Sequence, residues 1–239
     1  MLNNASKMFD YQESANLILQ TKGFKNVIIE ALGIPASGKS YFARSIYRNN
    51  ASDLNFHTID IAIHNRFLRV LYKLAIITFE LFYKHKLIKN VMNLTSNFKF
   101  CRGKIRIRLI FNFLYIVAIC KRNVRKQKPL VLDQGIFQGL WSCYFYNVAD
   151  EPDNNRIKKN LIDLFINLKI DKVLVLSVYS KLDKIVLRLK NREIKGNTGL
   201  DAASKDSLQK ALQAFNHVKE CLCIITEDFS KVSIHEIQN

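Results

Sequence analysis

The chain has 239 residues, a formal net charge of +17 and 49% apolar residues, which suits one α/β domain with a full core. Its longest apolar runs, "LAIITFELF" and "LIFNFLYIVAIC", are too short to span a bilayer, and the N-terminus lacks the positive start and apolar core of a signal peptide. Five cysteines without framework spacing exclude a disulfide scaffold, and eight glycines and three prolines form no linker, so a single cytoplasmic domain is the expectation.

In chain order, "NVIIEAL" reads as a buried strand that breaks into the turn Gly33-Ile34-Pro35-Ala36-Ser37-Gly38-Lys39-Ser40. A short helix is expected over "SYFARSIYRNN", opening with Ser40 and Tyr41. The turn fits G-x-x-x-x-G-K-[ST] without mismatch. A triphosphate carries several negative charges, and backbone N–H groups surround them only where side chains do not intrude. Gly33 permits the tight turn off the strand, and Gly38 lets the backbone approach the phosphates. Lys39 is then expected at the outer phosphates and the Ser40 hydroxyl on Mg²⁺, with the positive end of the helix facing the same anion. ATP and Mg²⁺ are the expected cofactors.

A second strand is predicted from Phe56 to Ile61. It ends near Asp60, where an open parallel sheet presents residues to its ligand crevice, so Asp60 either orients an acceptor or caps a turn. Residues 64 to 128 read as a helical insertion. Phe67, Val70, Leu71, Leu74, Ile77, Leu81 and Ile88 recur at helical spacing, in one helix or two over residues 63–93. "FKFCRGKIRIR" begins another helix or a short edge strand, and "LIFNFLYIVAICKRNVRKQK" is helical with a basic last turn. This insertion holds sixteen basic residues against one acid, Glu80, so +15 of the net +17 is concentrated there. An anionic partner or surface is implied. Basic residues interleaved with long apolar stretches suit a packed insert with a basic rim, or a peripheral site on the inner membrane surface, better than nucleic acid.

Pro129 introduces "LVLDQG", a short strand ending in a carboxylate. Asp133, beside the phosphate loop, is the expected second oxygen ligand of Mg²⁺. The next residue is Gln134 rather than the Glu that orients water in many mechanical ATPases, which favours transfer to an acceptor hydroxyl with Asp133 as base or metal anchor. Helices are expected over "IFQGLWSCYFYN" and "NNRIKKNLIDLFINL", a strand over "DKVLVLSV", and a helix over "KLDKIVLRLKNR". Arg188 and Arg192 sit four apart on that helix before a polar loop, suited to close over a transferred phosphoryl group. A lid is therefore expected at about 188–204. The helix "KDSLQKALQAFNHVKE" and a last strand, "CLCIITED", complete the pattern; Cys221 and Cys223 would share one face of that strand. Strand–helix alternation demands a parallel sheet with right-handed crossovers.

The succession "GIPASGKS", "VLDQG" and "RLKNR" resembles the P-loop kinases of the nucleoside and nucleotide kinase group, including uncharacterised members from bacterial surface-polysaccharide gene clusters. The resemblance covers residues 24 to 62 and 128 to 230. It implies a three-layer P-loop NTPase fold with a five-stranded parallel sheet ordered 2-3-1-4-5, an Arg-bearing lid, and an acceptor site under inserted helices. The Glu-Arg-Ser triplet of nucleoside kinases and the Asp-Arg-Tyr of thymidylate kinases are absent, so nucleoside specificity does not carry over. The Asn-Lys-x-Asp of GTPases and the Leu-Ser-Gly-Gly-Gln of transporter ATPases are also absent. The expectation is a kinase moving the γ-phosphoryl group of Mg-ATP to a small, anionic or sugar-like acceptor. The alternative is a P-loop ATPase or nucleotide-dependent regulator acting with an anionic partner.

Overall fold

A parallel sheet needs a crossover between neighbouring strands, and helices provide it here. The computed structural model describes residues 23–50, 52–57, 65–149, 151–194 and 205–238, with five strands and, among those residues, eight helices. The strands are β1 (Val27–Leu32), β2 (Asn55–His57), β3 (Leu130–Leu132), β4 (Lys172–Tyr179) and β5 (Val232–Gln238). All pairings are parallel and the order is β2-β3-β1-β4-β5, as expected.

Central β1 is buried along its whole length because β3 and β4 flank it and helices cover both faces. Its side chains alternate between two cores. Val27, Ile29 and Ala31 meet Phe42, Ala43 and Ile46 of α1 (Lys39–Asn49), while Ile28 and Leu32 face the larger core of α4 (Gly103–Val124), α5 (Ile136–Tyr146), α6 (Asn154–Leu168) and α8 (Lys205–Asp228). Glu30 lies on this second side too, a carboxyl in an otherwise apolar strand.

Among the described residues three helices lie between β2 and β3: α2 (Arg66–Leu81), α3 (His85–Thr95) and α4. The described part of the region 63–93, residues 65–93, is thus two helices, broken by the turn at Phe82–Lys84. The segment read as helix or edge strand divides likewise, since Phe100 bridges Asn147 and α4 then starts at Gly103. α4 is buried almost all round between Leu109 and Cys120, wedged among α2, α3 and α5, so its apolar run is a core helix. Contacts of Lys73 with Asn112 and of Glu80 with Arg125 run in the same sense along both helices, so α2 and α4 are parallel. Both therefore start at the strand-end edge of the sheet that bears the glycine loop.

One element differs from expectation. "CLCIITED" continues α8, and the last strand is the following "VSIHEIQ". Cys221, Leu222 and Ile225 are buried and Cys223 exposed, a helical pattern, so the two cysteines do not share a face. A short apolar run has no period of its own; here the amphipathic helix before it propagates through it. The strand was hidden in an alternating sequence, Val-Ser-Ile-His-Glu-Ile, suited to a sheet edge.

α7 (Leu182–Ile194) follows β4. Trp141 ties α5 to α8. It is 2% exposed, stacks on Phe145 and donates from its indole N–H to the Ala211 carbonyl at 3.1 Å. Trp141→Ala is expected to cost about 3–5 kcal/mol, read as a lower urea midpoint with an unchanged slope. A loss under about 1 kcal/mol would mean that α5 is held elsewhere.

Candidate functional site

The glycine loop leaves β1 at Leu32 and enters α1 at Lys39, at the C-terminal end of the middle strand. Gly33 is required by space: a Cβ there would lie 2.5 Å from Ser37 Oγ and 2.9 Å from the Val178 carbonyl. Ser37 N–H closes a turn onto the Ile34 carbonyl at 3.2 Å. Ala36 and Gly38 both have positive φ, 65° and 98°, and this alternation curls the backbone into a concavity of the kind that binds anions. The N-cap of α1 is Gly38, which has no side chain with which to cap the first-turn amides. Ile34, Ala36 and Ser37 are buried in the loop, Pro35, Lys39 and Ser40 are partly exposed, and Tyr41 is exposed.

Two elements hold the loop from outside. Arg188 of α7 donates through Nη1 to the Ala36 carbonyl and to Ser180 Oγ, each at 3.1 Å, and Ser180 Oγ donates to the Ser37 carbonyl at 3.0 Å. In a trans peptide the N–H lies opposite the carbonyl, so drawing the Ser37 carbonyl toward Ser180 aims the Gly38 amide away from it. Arg188 thus touches the loop itself. Arg192 lies one turn on along α7, its side chain outside the described residues, as are residues 195–204 of the expected lid and Asp60 beyond β2.

Asp133 is 1% exposed, immediately after β3, and its N–H donates to the His57 carbonyl at 3.2 Å. The β1–β3 register pairs Glu30 with Leu132, so Asp133 emerges beside the strand that leads into the loop. The sheet therefore brings the loop, Ser40 and Asp133 to one edge. Ser40 and Asp133 offer oxygen donors only, a set that fits Mg²⁺. Among the described residues, no group of three or more His, Cys, Asp and Glu side chains forms a softer metal site.

Glu30 was not singled out in the sequence, although a charge inside "VIIEAL" one turn before the loop was the available signal. It is fully buried and accepts from the N–H groups of Phe137 (3.1 Å) and Gln138 (2.6 Å) at the start of α5. Gln138 in turn accepts, through Oε1, from the Gly33 N–H at 3.3 Å. Gly135 makes room for this arrangement, since a Cβ there would sit 2.4 Å from the Glu30 carboxyl. Burial pushes the Glu30 carboxyl up to about 7, against the lowering effect of the α5 amides.

A small cleft opens between α4 and α5 beside these residues, lined by Asn112, Phe113, Gln134, Gly135, Gln138 and Ser142 among others. Asn112 accepts from Lys73 Nζ at 3.5 Å, and Lys73, only 7% exposed, also lies 4.9 Å from the Tyr115 ring centre. Burial, with Lys73 and Arg122 nearby, holds His57 down at about 4, so its ring is neutral at physiological pH. The Lys73 side chain thus stands one side chain away from a cleft whose mostly apolar wall carries Asn112, Gln134, Gln138 and Ser142.

No family model matches the chain, and no curated protein is significantly similar to it.

Because the Glu30 carboxyl titrates near 7 when folded but near 4.5 when exposed, it adds stability that is complete below about pH 4.5 and lost as pH rises through 7. Glu30→Gln is expected to flatten that decline in melting temperature between pH 5 and 8, an interval set by the same shift. Parallel curves for the two proteins would show that Glu30 is not protonated in the fold.

Proposed function

We propose that the chain is a Mg²⁺-dependent phosphotransferase, moving the γ-phosphoryl group of ATP to a hydroxyl of a small anionic acceptor. One observation carries the reading: a glycine loop curled by two left-handed residues, followed by a helix whose N-cap is Gly38, shares a sheet edge with the buried Asp133 carboxylate. Backbone amides and Lys39 would take the phosphate charge, and Ser40 and Asp133 would hold the metal. Mg²⁺, when bound, would draw charge from the β- and γ-phosphate oxygens.

The cleft between α4 and α5 would seat the acceptor. Asn112, Gln134, Gln138 and Ser142 supply hydrogen bonds, and Lys73 favours an anionic acceptor. The acceptor oxygen would form the new bond to the γ-phosphorus while the bond to the bridging oxygen breaks and ADP leaves. The hydroxyl proton would pass to Asp133 or to solvent. Arg188, already against the loop, would hold it from the α7 side and place positive charge near the transferred group. An acceptor screen with labelled ATP, scoring transferred label against released phosphate, separates transfer from hydrolysis; release alone across the panel would replace this reading by an ATPase.

Lys39→Ala is expected to lower turnover at least about 100-fold with the melting temperature unchanged, because Lys39 is not in the core. Asp133→Asn should leave metal-free nucleotide affinity intact and abolish the gain on adding Mg²⁺, followed by titration with and without the metal. Reversing Arg106 and Arg108 together should raise the acceptor KM several-fold and flatten its salt dependence while sparing ATP affinity.

A further inference from the structure

Helix α2 is amphipathic in the reverse of the usual sense. Among the described side chains its charged residues turn inward: Lys73 and Glu80 are buried, Arg69 is half-buried, and Glu80 pairs with Arg125. Every exposed residue from Phe67 to Tyr83 is uncharged, and apart from Thr78 all are apolar or tyrosine. Phe67 is 68% exposed, Phe79 80% and Tyr83 82%, with Leu71, Leu74 and Phe82 beside them. A soluble helix spends its polar residues on water; this one spends them on the core. An exposed apolar face of this extent marks an interaction surface.

The charge around the face indicates what covers it. Just beyond its C-terminal end lie Lys84, Lys121 and Arg125; burial, with repulsion from Lys84, Lys169 and Arg125, lowers the Lys121 pKa. Toward its other end α4 begins with exposed Lys104, Arg106 and Arg108, and Ile107 among them is 70% exposed. A second copy of the chain would bring two such segments of +15 face to face, and nucleic acid would find no cations on the apolar face itself. Anionic lipid satisfies both features, taking aromatic and aliphatic side chains into the acyl boundary and lysine and arginine at the headgroups.

We propose that α2 lies flat on an anionic bilayer surface, with Phe67, Leu71, Leu74 and Phe79 inserted and the basic residues of α3 and α4 on the headgroups. No helix among the described residues is long and apolar enough to cross a membrane, so the contact is peripheral. The acceptor cleft beside Lys73 would then open near the lipid surface.

The test is sedimentation of the full chain with vesicles of phosphatidylcholine, with and without about 30% phosphatidylglycerol. Retention is expected on the anionic vesicles only, and it should fall several-fold in about 0.5 M salt. Changing Phe67, Leu71, Leu74 and Phe79 together to Gln should weaken the partition by at least about 10-fold, with an unchanged melting temperature because these side chains are exposed. Three results would overturn the proposal: no retention of the wild-type chain, retention undiminished in the Gln variant, or a dimer in analytical ultracentrifugation that the Gln variant dissolves.

Discussion

At the centre of the molecule a carboxyl group is buried where only apolar side chains would be expected, and the arrangement of the candidate site follows from how its hydrogen-bonding needs are met. Glu30 cannot reach water from β1. It satisfies its oxygens with the free amides at the start of α5, which fixes that helix end against the strand. The turn Asp133-Gln134-Gly135 joins β3 to the same helix, so anchoring α5 also sets where Asp133 leaves the sheet. Gln138, one turn along, then reaches the first amide of the glycine loop. One interaction thus ties together the loop, the carboxylate at the end of β3 and the wall of the neighbouring cleft.

The loop is held from both sides for a related reason. Ile34 and Ala36 pack into the core beneath it, and hydrogen bonds hold its backbone from outside: Gln138 on the α5 side, Arg188 and Ser180 on the α7 side. A loop held in this way would not have to reorganise to take the proposed phosphate, which is where preorganised sites gain over flexible ones. Arg188 is therefore a support of the loop as well as a guanidinium in contact with it. Of the arginine pair that the sequence presents as equivalent, the structure describes Arg188, which lies on the loop.

The segment between β2 and β3 turns the ordinary relation of charge and burial inside out. Lys73 and Glu80 lie within the α2–α4 packing, where each finds a partner, Asn112 and Arg125. Ile76 and Leu81 of α2 also pack inward, while Phe67, Leu71, Leu74 and Phe79 are left outside. The excess positive charge is consequently distributed around an apolar face and beside the cleft between α4 and α5, and the two proposed partners, lipid surface and anionic acceptor, follow from that one placement.

Local pattern was enough to read much of this chain from its sequence. The glycine loop is a contiguous motif; Asp133 closes a short apolar strand; the strands and helices repeat with periods that a single sequence carries, and alternation alone implied the parallel sheet. Where the apolar run was short, period failed: "CLCIITED" could be helix or strand until packing of α8 against α5 and α6 decided for helix and left "VSIHEIQ" to form the edge. Glu30 was visible as a charge in a strand but its meaning was not, because its partners lie 107 and 108 residues away. The contact of Arg188 with the loop, the burial of Lys73 and the outward apolar face of α2 are of the same kind. Composition located the +15, but which side of each helix faces the core depends on contacts between residues distant in sequence, and those exist only once the sheet has brought them together.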